Sequence, residues 1–135
     1  MRLVTGPRID PRLLPDIEGM DKHGYVRDLF EHLACADAAS VQGGLSTTME
    51  LVATGRPFIY FPLRGHWEQQ HFVTHRLNHY RAGLRMDYTT TTADDLATTM
   101  RAALAETGSA PGYRKVPRGG AGRAATRIAA LLAGQ

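Results

Sequence analysis

The sequence predicts a Rossmann-like α/β domain, a parallel sheet flanked by helices, and three observations point to it. Short apolar runs alternate with stretches of helical periodicity, the pattern of βα units around parallel strands. The run Phe58-Ile59-Tyr60-Phe61 is continuously apolar and closed by Pro62, as a strand covered on both faces reads. Finally, Gln42-Gly43-Gly44 turns from a strand candidate into a helix start. At 135 residues the chain has the length of one ordinary domain, since domains cluster at roughly 100–150 residues.

In chain order, Arg2-Leu3-Val4-Thr5 reads as a strand stopped by Gly6-Pro7, and Pro11 and Pro15 bound an irregular or short helical segment. A brief strand is expected at Gly24-Tyr25-Val26, then a helix with Leu29, Phe30 and Leu33 on one face. A buried strand follows at Ala38-Ala39-Ser40-Val41. The next helix is expected over about 46–54. Thr47 and Glu50 have capping-box spacing there, Gly55 suits a left-handed cap, and Pro57 forbids continuation. After the strand at 58–61, a loop over 63–66 leads to a helix with Phe72, Val73, Arg76, Leu77 and Tyr80 at helical spacing, stopped by Gly83. Trp67 is expected to cover the core edge and Arg64 to be exposed. Residues 84–88 form the last strand candidate. Thr92 with Asp94 and Asp95 opens a helix that turns Leu96, Met100 and Leu104 inward. Residues 1–108 are thus assigned to the α/β domain, 109–120 to a basic Gly/Pro linker, and 121–135 to a final Ala-rich helix.

Composition narrows the function classes. Hydrophobic residues make up 43% and charged residues 21%, which excludes wholesale disorder. The net charge of +3 belongs to the tail. Arg114, Lys115, Arg118, Arg123 and Arg127 follow the last acidic residue, and setting them aside leaves eleven Lys and Arg against thirteen Asp and Glu. A nucleic-acid footprint covers a face of the domain with interleaved aromatics, and here only Tyr113 accompanies the charges, so no nucleic-acid partner is expected. The single Cys35 excludes an internal disulfide and a cysteine-cluster zinc site. His71, His75 and His79 share a helical face, but the acid of the H-E-x-x-H motif is absent, and no metal is expected. No apolar run is long enough to span a membrane, and the N-terminus has no signal-peptide stretch, so the expected location is cytoplasmic.

Two segments can carry chemistry, because open parallel sheets bind ligands beyond the carboxyl ends of their strands. The first is Gln42-Gly43-Gly44-Leu45-Ser46-Thr47, where glycines allow close backbone approach and first-turn amides favour an anion. The second is Arg64-Gly65-His66-Trp67-Glu68-Gln69, with polar groups suited to hydroxyls. Neither the G-x-G-x-x-G fingerprint nor a Walker lysine is present.

Taken together and in order, the strand with Asp37, the small-residue turn at 42–47, Glu50, Gly55-Arg56-Pro57, Pro62 and the Glu68-Gln69 pair resemble the C-terminal domain of GT-B glycosyltransferases. The likeness covers residues 25–105. It is nearest to the group of bacterial natural-product glycosyltransferases, UDP-glucuronosyltransferases and the N-acetylglucosaminyltransferase of peptidoglycan synthesis. It implies that Gly43, Gly44 and the amides of Leu45, Ser46 and Thr47 face the diphosphate of a UDP- or TDP-sugar. Gln42 stands where many members have a histidine; its amide donates a hydrogen bond but carries no positive charge. Glu50 falls on the acid that holds ribose hydroxyls. Glu68 and Gln69 fall on the acid–Gln pair that holds the donor sugar, with Glu in place of the usual Asp. Glu50 also has an alternative reading, as partner of Thr47 in the capping box, and Glu68 one as a first-turn acid complementing the helix dipole.

The resemblance further implies an incomplete C-terminal lobe, beginning at its second strand and lacking the first Gly-rich loop. The acceptor lobe, with the catalytic base, would belong to a missing segment or to a partner subunit. The implied activity is transfer of a hexose from a nucleotide-diphosphate donor to a hydroxyl acceptor, with no cofactor and with the chain alone inactive. The alternatives are a non-catalytic nucleotide- or partner-binding module and a nucleotide-sugar epimerase-like domain.

Overall fold

The computed structural model describes residues 1–105 and 112–134, so the end of the expected 1–108 domain and the first residues of the expected linker fall outside the described residues. The chain forms two compact units, Met1–Cys35 and Ala36–Gln135. The fold is Rossmann-like α/β. Among the described residues every strand pairing is parallel, and the strands form two sheets, one of two strands and one of three, rather than a single ladder.

In the first unit β1 (Arg2–Val4) pairs with β2 (Asp21–His23), Leu3 opposite Lys22. The strand expected at Gly24-Tyr25-Val26 therefore lies three residues earlier, at 21–23. Its ladder is extended by Thr5 N–H donating to His23 O at 2.9 Å. The proline-bounded segment is a single 3₁₀ turn, Pro11–Leu13, capped by the Asp10 carboxylate. Helix α1 (Leu29–Cys35) buries Leu33, while Leu29 and Phe30 stay partly exposed.

The second unit is built around β4 (Phe58–Phe61), which runs between β3 (Ala39–Gln42) and β5 (Leu84–Arg85). Both edges of β4 are paired, and Phe58, Ile59 and Tyr60 are 1%, 0% and 1% exposed. Each such side chain contributes about 1.5–3 kcal/mol on burial. Helix α2 (Leu45–Thr54) supplies Leu51 and Val52 to this core. A π-helical segment (Glu68–Val73) runs into α3 (Thr74–Tyr80), and the two supply Val73 and Leu77.

Local chemistry explains the helix ends. Gly55 takes φ 69° after α2, and its N–H closes on Leu51 O and Val52 O. After α3 the left-handed cap is Arg81 (φ 54°), two residues before the expected stop at Gly83. Gly83 serves a different purpose: at φ 71° it lies against the Phe58 ring, where a Cβ would come within 2.5 Å. Helix α4 (Ala93–Ala105) opens on a box in which Asp95 N–H donates to Thr92 Oγ1 at 3.1 Å and Thr92 N–H donates to Asp95 Oδ2 at 3.0 Å. Its inward residues are Leu96, Met100 and buried Ala103. Leu104, expected inside, is 48% exposed, because the buried row runs i, i+4, i+7. The returning chain is pinned by Gly83 N–H donating to Tyr113 Oη at 3.0 Å and Arg114 N–H donating to Tyr80 O at 2.8 Å. Helix α5 (Gly120–Ala133) is exposed along its whole length.

Candidate functional site

The register of the three-stranded sheet sets Gln42 beside Phe61, so the chain leaves β3 and β4 side by side at the same carboxyl edge. Both sequence-predicted segments start from that edge. Gly43 is where they touch. Its N–H donates to Phe61 O at 3.1 Å, and a Cβ on it would stand 2.9 Å from Pro62 Cα. Gly43 is thus a glycine of close packing, and its amide is occupied. The Gly44 amide is also occupied, donating to Gln42 O at 2.8 Å. The amide set expected over 43–47 is accordingly reduced to 45–47.

Helix α2 begins at Leu45, with Gly44 as N-cap and no side chain capping it. The first helical bond is Thr48 N–H to Gly44 O at 3.1 Å. Among the described residues no group accepts from the N–H of Leu45, Ser46 or Thr47, the three donors that a helix start leaves over. The expected capping box does not form: with the start at 45, Thr47 already lies inside the first turn and cannot cap. The side chain of Glu50, a half-buried residue, makes no hydrogen bond or ion pair among the described residues. The hydroxyl that serves the helix start is that of Thr48, fully buried and donating to Gly44 O at 2.8 Å and Leu45 O at 3.1 Å. Nothing in its spacing distinguished it from Thr47.

Gly44 differs from Gly43 in kind. Its φ of −71° and ψ of 137° suit any residue, and a Cβ there would meet nothing within 4 Å. The fold does not require a glycine at this position. Gln42 and Ser46 are exposed, and their side chains make no hydrogen bond among the described residues.

Across the edge, Glu68 is exposed in the first turn of the π-helical segment. Gln69 is 8% exposed, and its Oε1 accepts from Leu63 N–H at 2.8 Å, while its Nε2 makes no hydrogen bond among the described residues. Gln70, which belongs to no motif in the sequence, donates from Nε2 to Pro62 O at 3.1 Å and Leu63 O at 3.0 Å. Its Oε1 accepts from Arg85 Nη2 at 2.5 Å. Thr74 Oγ1 donates to Gln69 O at 3.2 Å, filling a carbonyl within this wide turn; π turns recur at functional sites. Trp67 does not cover the core: it is 61% exposed and stands edge-on to Phe72, ring centroids 4.7 Å apart. At the end of β5 the Thr89 hydroxyl and N–H hold the Asp87 carboxyl below its usual range, aided by the nearby Arg64 and Arg85 charges. No cluster of His, Cys, Asp and Glu arranged to hold a metal occurs among the described residues. No helix among them is long and apolar enough to cross a membrane.

No protein-family model matches the chain. An uncharacterized glycosyltransferase of Methanosarcina mazei is 36% identical over 69 residues, 50% of this chain and 18% of the relative. An uncharacterized glycosyltransferase of Methanosarcina acetivorans is 34% identical over 88 residues, 64% of this chain and 22% of the relative. The chain therefore matches about a fifth of the length of these curated relatives. Among solved structures, the glycotransferase of kitacinnamycin superposes with a TM-score of 0.63 at 22% identity, over 78% of this chain and 26% of that one. The chain is thus similar in sequence to glycosyltransferases over half its length and shares the fold of part of one, in keeping with the C-terminal domain of the GT-B type.

Proposed function

We infer that this chain is the donor-binding part of a glycosyltransferase that moves a sugar from a nucleoside diphosphate, UDP or TDP, to a hydroxyl acceptor. The observation that carries the reading is the open start of α2. Three amides without acceptors and the positive end of the helix dipole meet at a glycine the fold does not need. A diphosphate supplies the missing acceptors, and the absent Cβ at 44 lets it approach the main chain. Gln42 adds a neutral donor to a phosphate oxygen. Glu50, one turn along α2 from Ser46 and Thr47 and without a partner of its own, accepts from ribose hydroxyls. The carboxylate of Glu68 and the free Nε2 of Gln69 receive the hydroxyls of the sugar.

In the transfer itself, a base deprotonates the acceptor hydroxyl, whose oxygen attacks the anomeric carbon while the bond to the nucleoside diphosphate breaks. The charge that develops on the leaving diphosphate falls on the amides of residues 45–47, donors already oriented by the helix. The base and the acceptor site belong to a further lobe, on the same polypeptide or on a partner chain. The chain of 135 residues accordingly binds donor without turning it over.

Calorimetric titration with UDP, TDP and their sugars tests this. Saturable binding of a nucleoside diphosphate is expected, weakened about tenfold or more by Glu50→Ala, since a hydrogen bond to a charged acceptor contributes about 1.5–3 kcal/mol. No binding at millimolar nucleotide would overturn the reading, and turnover by the chain alone would place the base within it.

A further inference from the structure

Gln70 occupies a position that the donor-site reading leaves unused, yet its carboxamide joins three pieces of main chain and side chain at the carboxyl edge of the sheet. Its orientation follows from its partners. Only an oxygen can accept from the Arg85 guanidinium, so the NH₂ group must face Pro62 O and Leu63 O, which only accept. Gln69 holds the same two-residue stretch from its other polar group, the Leu63 N–H. Pro62, so held, is the residue whose Cα fills the space a Cβ on Gly43 would need. A chain of direct contacts therefore runs from Arg85 on β5 through Gln70 to Pro62 and on to Gly43, the residue before the α2 N-cap.

We propose that Gln70, oriented by Arg85, is a positioning residue that sets the spacing between the two walls of the candidate site, residues 43–47 and residues 68–69. This rests on the donor-site reading above. Gln70 does not touch the ligand. It fixes the loop from Pro62 to Trp67 and thereby the first turn of the π-helical segment, which carries Glu68 and the free Nε2 of Gln69. The nucleotide end of the donor depends on one wall alone, Gln42 and the start of α2. The sugar end depends on both walls, so loss of the brace separates the two affinities.

Gln70→Glu is the informative change. It keeps an oxygen for Arg85 but turns a second oxygen, not an NH₂, toward two carbonyls, so the loop is released with little change in size. Gln70→Met, of similar volume, removes both polar ends. The probes are UDP and UDP-glucose titrated into the full chain, with hydrogen exchange at the Leu63 amide read in the free protein. In both variants Leu63 exchange is expected to speed up about tenfold. UDP affinity is expected to stay within twofold, and UDP-glucose affinity to fall about fivefold to tenfold. Near-native circular dichroism and unfolding midpoints show that the variants are folded. Faster exchange with both affinities unchanged would overturn the positioning role. Equal loss of both affinities would show a general structural role and overturn it too. If the unaltered chain binds neither probe, the donor-site reading fails and the positioning role falls with it, while the Leu63 exchange still reports whether the brace exists. Unchanged exchange in both variants would refute the brace itself.

Discussion

Adjacent glycines at the end of β3 are expected to respond differently to the same substitution, one in stability and the other in ligand affinity. In Gly43→Ala the new methyl would lie 2.9 Å from Pro62 Cα, 3.2 Å from its Cβ and 3.3 Å from its N. These atoms belong to main chain and a closed ring, so no rotamer change relieves the clash. The Gly43 N–H bond to Phe61 O resists separation of the two strand ends. Overpacking of this kind costs about 1–3 kcal/mol. In a unit of about 100 residues, 1 kcal/mol moves Tm by about 4–8 °C, so a mid-range loss of about 2 kcal/mol lowers Tm by about 8–16 °C.

Gly44→Ala places its methyl in open space at an allowed φ and ψ. The smaller freedom of the unfolded chain stabilises by about 0.4–1 kcal/mol. The poorer N-cap preference of alanine removes a similar amount, so the net change stays within about 0.5 kcal/mol. Its effect belongs to the ligand: the methyl stands where a diphosphate would approach, and UDP affinity falls while Tm does not. Thermal unfolding followed by circular dichroism, with urea titration as a second measure, decides the matter. Equal destabilisation by the two changes, or a Gly43→Ala protein as stable as the original, would refute this assignment of the two glycines.

Within the second unit, acid sensitivity should arise at the start of α4 and the turn before it, as it should in the first unit at Asp10, Asp16 and Asp21, whose pKa values are lowered as well. The Thr92 hydroxyl and N–H lower the Asp95 pKa, and those of Thr89 lower that of Asp87, so both carboxylates favour the folded state once ionised. That contribution is present above the unfolded carboxylate range near pH 4. It is lost as the pH falls from there through the lowered folded values. Asp95→Asn should therefore flatten the acid limb of the stability–pH curve without altering its neutral slope, measured by urea midpoints between about pH 2 and 7. Tyr113→Phe leaves the Gly83 N–H without the Tyr113 oxygen as acceptor and should cost about 1–3 kcal/mol. Denaturant titration reads it, and a change below about 0.3 kcal/mol would show that the segment after residue 112 is not held by this bond.

Some of this protein is written in local chemistry. The apolar run 58–61, the Gly55 cap, the prolines at 11 and 57 and the Thr92–Asp95 helix start act over three or four residues, and the structure bears each of them out. The motif order from Gln42 to Gln69 likewise carried the resemblance to glycosyltransferases. Spacing alone could not separate Thr47 from Thr48 as the hydroxyl at the α2 start, because one residue of phase in the helix start decides it. Nor could it assign different duties to Gly43 and Gly44. One abuts Pro62, nineteen positions away, and only the pairing of β3 with β4 brings them together. Gln70 was silent for the same reason: its partners, Pro62, Leu63 and Arg85, meet at the edge of a three-stranded sheet. Hydrogen bonds and packing between such distant residues have no sequence period, so tertiary structure alone decided which of these residues hold the site and which are left open to bind.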